Sequence, residues 1–177
     1  MIVSQTPKAC KDKWQTPVEI FRALDAEFGF GLDAAADFAN ALCRRYLTEE
    51  DDALNCEWHT RGAIFCNPPY SNITPWVSKA AEQCAVQKQT IVMLLPSDTS
   101  TGWFRMGLES VDEVRVITGG RLSFISAATG VCGKNGNSKG SLLFIWRPFI
   151  KNRCQFTTVD KSDLIRIGTE AVREVAA

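Results

Sequence analysis

Asn67-Pro68-Pro69-Tyr70 is the segment whose residue types are best suited to chemistry. The Asn67 side-chain oxygen and the Pro68 main-chain carbonyl are both hydrogen-bond acceptors. Two successive prolines make the corner rigid and keep its carbonyls out of a helix. Two acceptors aimed in advance suit a donor that carries two N–H bonds, and preorganisation of this kind is usually the largest catalytic contribution. Tyr70 adds an aromatic face on which a flat ring can stack, worth about 1–3 kcal/mol for a nucleic-acid base. The simpler reading is a Pro-Pro turn after a strand, with an incidental aromatic.

Other segments offer polar groups that could join this corner. Leu32-Asp33-Ala34-Ala35-Ala36-Asp37 sets two carboxylates around three small residues, as a ligand loop or merely as a helix N-cap. Glu49 to Asp52 is a four-acid run with no base beside it; such runs are usually solvated surface, although Leu54 favours Asp52 as a residue at a strand end. Trp14 is either a site residue or a hydrophobic staple against Val18. Between Glu113 and Asp160 lie 46 residues with seven bases and no acid: Arg115, Arg121, Lys134, Lys139, Arg147, Lys151 and Arg153. Within that stretch, residues 130–140 form a glycine-rich polar loop. Its Lys, Asn, Ser and free amides are the groups that contact phosphates, although a plain hairpin connection would also account for it.

The elements that must position these residues follow from pattern. Thr16 is placed to be an N-cap, with Pro17 at the first helical position and Glu19 at the capping-box offset. Ile20, Leu24 and Phe28 then share one helix face, and Gly29 is placed to end the helix. Strands are expected near 30–33, 61–66, 90–95, 114–117 and 141–146, and helices over 73–85 and 102–110. The tail from Thr158 to Ala177 reads as a terminal helix, and residues 1–12 as a loose lead-in. Almost wholly apolar strands alternating with helices imply an α/β fold, a mostly parallel sheet covered on both faces. Ligands of such sheets sit outside the carboxyl ends of the strands, where Asp33 and Asn67 both fall.

Composition narrows the classes. The 177 residues fit one domain, 1–177. With 45% hydrophobic and 23% charged residues, the chain is neither disordered nor collagen-like nor a disulfide mini-protein. Twenty basic residues balance twenty acidic ones, so overall charge points to no partner. No run reaches the ~18 apolar residues of a membrane span, and Met1 to Lys13 is too polar for a signal peptide. Seven cysteines without a C-x-x-C pair, and one histidine, His59, predict reduced thiols and no metal site.

The tetrapeptide resembles the catalytic motif of S-adenosylmethionine-dependent methyltransferases that modify planar amino groups. Adenine's exocyclic nitrogen is a poor nucleophile because its lone pair is delocalised into the ring. Acceptors from Asn67 and Pro68 on its two N–H bonds would free that lone pair. Five segments widen the likeness: Lys13 to Pro17, Leu32 to Asp37, Glu49 to Leu54, the Asn67 motif, and Gly119-Gly120-Arg121-Leu122-Ser123-Phe124. In this order they resemble the phage-type DNA N6-adenine methyltransferases, the Dam-like family of phages and prophages, over roughly residues 11 to 149.

The resemblance implies a Rossmann-like methyltransferase fold, S-adenosyl-L-methionine as cofactor, and adenine in DNA, flipped out of the duplex, as substrate. By position, Trp14, Gln15, Thr16 and Pro17 would close over the methionine end of the cofactor, Asp33 and Ala34 would lie at the cofactor loop, and Asp52 near its adenine. Asn67, Pro68, Pro69 and Tyr70 would hold the target base. Phe124 would stack on that base or belong to the core, and Arg121, Lys134 and Lys139 would meet DNA. A host-cell cytoplasmic location is implied too. RNA, or a protein glutamine amide, is the alternative acceptor, and a DNA binder without cofactor the alternative class. Ala34-Ala35-Ala36 stands where such enzymes carry glycines. Only 34 residues separate Asp33 from Asn67, which compresses the fold there.

Overall fold

A computed structural model describes residues 14–126, 139–149 and 154–176. The lead-in 1–12 and most of the glycine-rich loop, Lys134 included, lie outside the described residues. Two strands stand apart as a ribbon: β1 (Trp14–Gln15) pairs antiparallel with β6 (Ile125–Ser126). The main sheet has six strands in the order β2 (Phe30–Asp33), β3 (Ala63–Cys66), β4 (Ile91–Pro96), β7 (Ser141–Trp146), β5 (Glu113–Thr118) and β8 (Gln155–Asp160). Only β7 runs against the other five.

Strict alternation along the central strands explains why both faces are covered. Ile91, Met93 and Leu95 of β4 point to one core, while Val92 and Leu94 point to the other. Leu142, Phe144 and Trp146 of β7 join the first core, and Leu143 and Ile145 the second. Helices α2 (Thr74–Gln87) and α3 (Gly102–Gly107) close the first face. Helices α1 (Val18–Phe28) and α4 (Lys161–Ala176) close the second, through Ile20, Phe21, Leu24 and Leu164. A sheet buried on both faces by apolar side chains is the expected solution for near-continuous apolar strands.

Several expectations need correction. Helix α1 starts at Val18 with Pro17 as its cap and no side-chain capping bond, so Thr16 is not an N-cap. Gly29 does end it, in the left-handed conformation (φ 66°). The tail is a strand before it is a helix: β8 pairs in parallel with β5 along its whole length, and α4 begins only at Lys161. The sequence pattern missed β8 because, as an edge strand, it alternates weakly and leaves Phe156 62% exposed. No helix follows Asp33, which excludes its N-cap reading. Asp52 is not at a strand end; it has φ 51° and sits in a turn.

The short stretch between Asp33 and Asn67 is compact but irregular. One parallel bridge joins Asp33 to Tyr46. The Asp33 and Leu47 N–H groups donate to Arg45 and Asp33 carbonyls, at 3.0 and 2.9 Å. Further along, Trp58 is fully buried, its Nε1 donating to the Ala53 carbonyl (2.8 Å) and its backbone N–H to Gln83 Oε1 (2.8 Å). The first bond closes the 48–58 segment on itself and the second ties it to α2.

Candidate active site

The parallel strands β2 and β3 end side by side, which brings Asp33 and Asn67 to one edge of the sheet. A cavity of about 450 Å³ opens there. Trp14, Ala34–Ala36, Glu49, Asp52, Asn67, Pro69 and Trp76 are among the residues that line it. A smaller space of about 20 Å³ adjoins Trp14, Gln15, Thr16, Asp33 and Asn67. Of the predicted site residues, Trp14, Gln15, Thr16, Asp33, Ala34, Asp52, Asn67 and Pro69 border one or other of these spaces, whereas Pro17, Pro68 and Tyr70 border neither.

The alanine loop after β2 needs no glycine. Among described non-glycine residues only Asp52 and Lys88 have positive φ, so Ala34, Ala35 and Ala36 turn without it. The loop is stitched to its neighbours: the Ala34 N–H donates to the Phe65 carbonyl (2.8 Å) and that of Ala36 to the Leu47 carbonyl (3.0 Å). Their methyl groups are small enough to leave the cavity open. Asp33 is 3% exposed and accepts weak bonds from the Leu42 and Ala35 N–H groups, at 3.3 and 3.4 Å. Burial pushes its carboxyl up to about 6 against the pull of those two bonds.

At the Asn67 corner the two ends of the amide differ. Nδ2 donates to the Trp14 carbonyl at 3.1 Å. Oδ1 is buried and has no hydrogen-bond partner among the described residues. The same is true of Thr16 Oγ1 beside it. Buried polar atoms are nearly always paired, so orphans beside a cavity mark ligand-facing groups. Pro68 is buried and Tyr70 half-buried. The Tyr70 hydroxyl donates to the Leu94 carbonyl at 3.3 Å. Burial, with Cys66 nearby, raises the phenol well above its ordinary value and keeps it neutral. Its ring meets Phe124 edge to face, with centroids 6.3 Å apart.

Phe124 is 3% exposed and belongs to the core on the α1 side, so its free face is spent on packing. It supports Tyr70 and does not offer a stacking surface of its own. Arg121 is exposed, and its main-chain carbonyl accepts a bond from Lys161 Nζ (2.7 Å). Lys139 pairs with Asp98 just beyond β4. Neither cation lines the two cavities.

Sequence reasoning missed Asn40, Thr48, Glu49 and Trp76 as lining residues. Trp76 reads as helix core because it falls on the apolar period of α2. Glu49 was hidden within the acidic run, whose members divide their labour. Asp51 caps a turn through the Thr48 N–H (2.8 Å). Asp52 accepts from Asn55 Nδ2 (2.7 Å), and Glu49 and Asp52 border the cavity. Asn40 carries no sequence signal; it arrives because Asp37 Oδ1 accepts its N–H in a tight turn. Among the described residues no group of three His, Cys, Asp or Glu could hold a metal ion, and no helix is long and apolar enough to cross a membrane.

Comparison with known proteins agrees with this geometry. The family model described as DNA N-6-adenine-methyltransferase (Dam) matches residues 3–171. The DNA N-6-adenine-methyltransferase of Escherichia phage T1 is 36% identical over 169 residues, covering 87% of this chain and 70% of the phage protein. The protein of the same name from Haemophilus phage HP1 (strain HP1c1) is 36% identical over 150 residues, 84% of this chain and 86% of its own. The putative methyltransferase YfdM of Escherichia coli (strain K12) is 44% identical over 75 residues, 39% of this chain and 78% of its own. With nearly the whole chain matched and the Asn67 corner set beside a cavity, the protein belongs to the DNA N-6-adenine-methyltransferase (Dam) family.

Proposed function

We propose that the chain methylates the N6 amino group of adenine in DNA, with S-adenosyl-L-methionine as methyl donor. The observation that carries this reading is the orphaned, buried Asn67 Oδ1 at the border of the cavity. It is an acceptor held ready and left unused by the described residues.

The larger cavity fits the donor molecule in size and chemistry. Its volume of about 450 Å³ falls in the range of small-molecule sites. Trp14 and Trp76 supply aromatic walls, Glu49 and Asp52 supply carboxylates for hydroxyl donors, and the three alanines leave room. When bound, S-adenosylmethionine supplies an electrophilic methyl group on a positively charged sulfur. Trp14 and the carboxylates then favour a cation over a neutral ligand of the same shape.

The chain's own residues act on the amine. Asn67 Oδ1 accepts one N–H and the Pro68 carbonyl the other, which draws the nitrogen out of conjugation with its ring. Tyr70 holds the base by contact with its ring, itself braced by Phe124 and tied to Leu94. Extrusion of the base costs a few kcal/mol, which this contact and the two acceptors are of a size to offset. Arg121 and Lys139 approach phosphates outside the cavities, adding affinity without sequence preference.

The test uses labelled methyl donor with separate DNA, RNA and protein acceptors, followed by nucleoside analysis. N6-methyladenine in DNA is expected, and Asn67→Ala is expected to slow its formation by about 100- to 1000-fold while the donor still binds by calorimetry. Label confined to RNA or protein would overturn the substrate, and full activity of Asn67→Ala would overturn the mechanism.

A further inference from the structure

An asparagine amide has a donor end and an acceptor end of almost equal size, and only the acceptor end can serve a reacting amine. Whatever fixes its rotation therefore decides whether the site works. Among the described residues Asn67 Nδ2 donates to the Trp14 carbonyl, 53 residues away in sequence. That carbonyl belongs to β1, which is outside the main sheet and is held by its pairing with β6 in the register Trp14↔Ser126 and Gln15↔Ile125. β6 directly follows Phe124, whose buried ring braces Tyr70. The small ribbon thus touches the catalytic corner twice, through a carbonyl at Asn67 and a ring at Tyr70.

We propose that the main-chain carbonyl of Trp14 is a positioning group for methyl transfer: it binds the donor end of the Asn67 amide and thereby turns Oδ1 towards the substrate amine. Rotated by half a turn, the amide would set Oδ1 against the Trp14 carbonyl, two acceptors facing each other. It would also aim Nδ2–H at the substrate's own N–H bonds. One net hydrogen bond biases such a rotation by about twofold to tenfold, and the facing oxygens add to it. Trp14 therefore acts in two ways: its side chain borders the cavity, and its backbone sets the amide. The proposal rests on the reading of Asn67 given above.

Two altered proteins test it. In the first, the Trp14–Gln15 peptide is replaced by an ester through an α-hydroxy analogue of Gln15, which weakens the carbonyl as acceptor, removes the Gln15 N–H and leaves every side chain in place. We expect kcat to fall by up to about twofold, the loss when the amide rests equally in its two rotations, with KM for donor and DNA unchanged. A purely structural role for the ribbon would raise KM as well, and unchanged kcat overturns the proposal. In the second, Asn67→Asp puts a carboxyl against the same carbonyl. Only its protonated form can donate to Trp14 while its other oxygen accepts from the amine. Turnover of Asn67→Asp, taken relative to the natural enzyme at each pH because Asp33 borders the same small space, is therefore expected to rise as pH falls from 8.5 to 6. A pH-independent Asn67→Asp enzyme with the natural rate overturns the proposal. If that variant is inactive throughout, the ester protein decides alone. Full activity of Asn67→Ala would instead defeat the reading of Asn67 itself, whatever the ester shows.

Discussion

The two ends of the main sheet bury polar groups in opposite ways. At the amino end of β5, Glu113 has 7% of its side chain exposed and spends both oxygens: Oε1 accepts from Arg115 (2.8 Å) and Thr157 (2.6 Å), Oε2 from Arg147 (2.7 Å). Neighbouring Asp112 accepts the Arg147 N–H at 2.7 Å, and Arg115 also grips Glu27. At the carboxyl end, Thr16 Oγ1, Asn67 Oδ1 and Ser141 Oγ are buried without partners among the described residues. Ser141 pairs with Pro96 at the end of β4, so it shares that edge. A satisfied network holds a fold together, whereas unsatisfied atoms cost stability and persist where a ligand completes them. In this protein the first kind lies at one end of the strands and the second at the other.

Exchanging alanines between the two ends separates them most sharply. Asn67→Ala is expected to lower kcat by about 100- to 1000-fold, with an unfolding midpoint in urea no lower than that of the natural protein. Glu113→Ala is expected to do the reverse. It strands Arg147 and half of the Arg115 contacts, and should cost about 3 kcal/mol, while the folded fraction keeps its kcat. Loss of stability in the first variant, or of turnover in the second, would erase the distinction between the ends.

The pH dependence of stability should also have opposite signs. Burial would raise Glu113, but bonds from Arg115, Thr157 and Arg147 outweigh it and hold the carboxyl down to about 2. Its contribution is complete above the unfolded value and is lost as pH falls from about 4.5 to 2. The deficit of Glu113→Gln relative to the natural protein should shrink over that range. Asp33 is raised to about 6, so its ionisation opposes folding. Its favourable contribution is complete below about 4 and is lost as pH rises through 6. Relative to the natural protein, Asp33→Asn should gain stability between pH 4 and 7, as read from urea midpoints.

What the sequence revealed divides along related lines. Apolar runs and punctuating residues located α1 and every strand of the main sheet but β8, because Pro68, Pro96 and Gly29 end elements by local sterics alone. The corner at Asn67 and its neighbours at Asp33 and Trp14 were legible through the five segments whose order resembles the family. Long-range placement was not legible. Trp14 and Ser126 pair across more than a hundred residues, and Trp76 serves core and cavity at once. Gly168 gave no signal either, yet a Cβ there would lie 1.8 Å from the Glu19 carbonyl, so α4 crosses α1 on bare backbone. Gly168→Ala must push the helices apart and should cost about 1–3 kcal/mol in denaturant unfolding, with little change in kcat.

The smallest effect concerns Lys139, which lies at the carboxyl edge but outside the cavities. Its ammonium meets the Asp98 carboxylate, which also accepts from the Ser100 hydroxyl at 2.7 Å. The lysine side chain is 55% exposed, and exposed pairs add little to stability. Lys139→Ala should therefore leave the urea midpoint unmoved. If the proposed DNA contact is right, the lysine exchanges Asp98 for a phosphate on binding, and a released counterion accompanies the exchange. Affinity for duplex DNA measured against salt should then show a slope shallower by about one in the variant. An unchanged slope would assign Lys139 to the structural side of the comparison, as a tether holding the strand entry at Gly140 against Asp98.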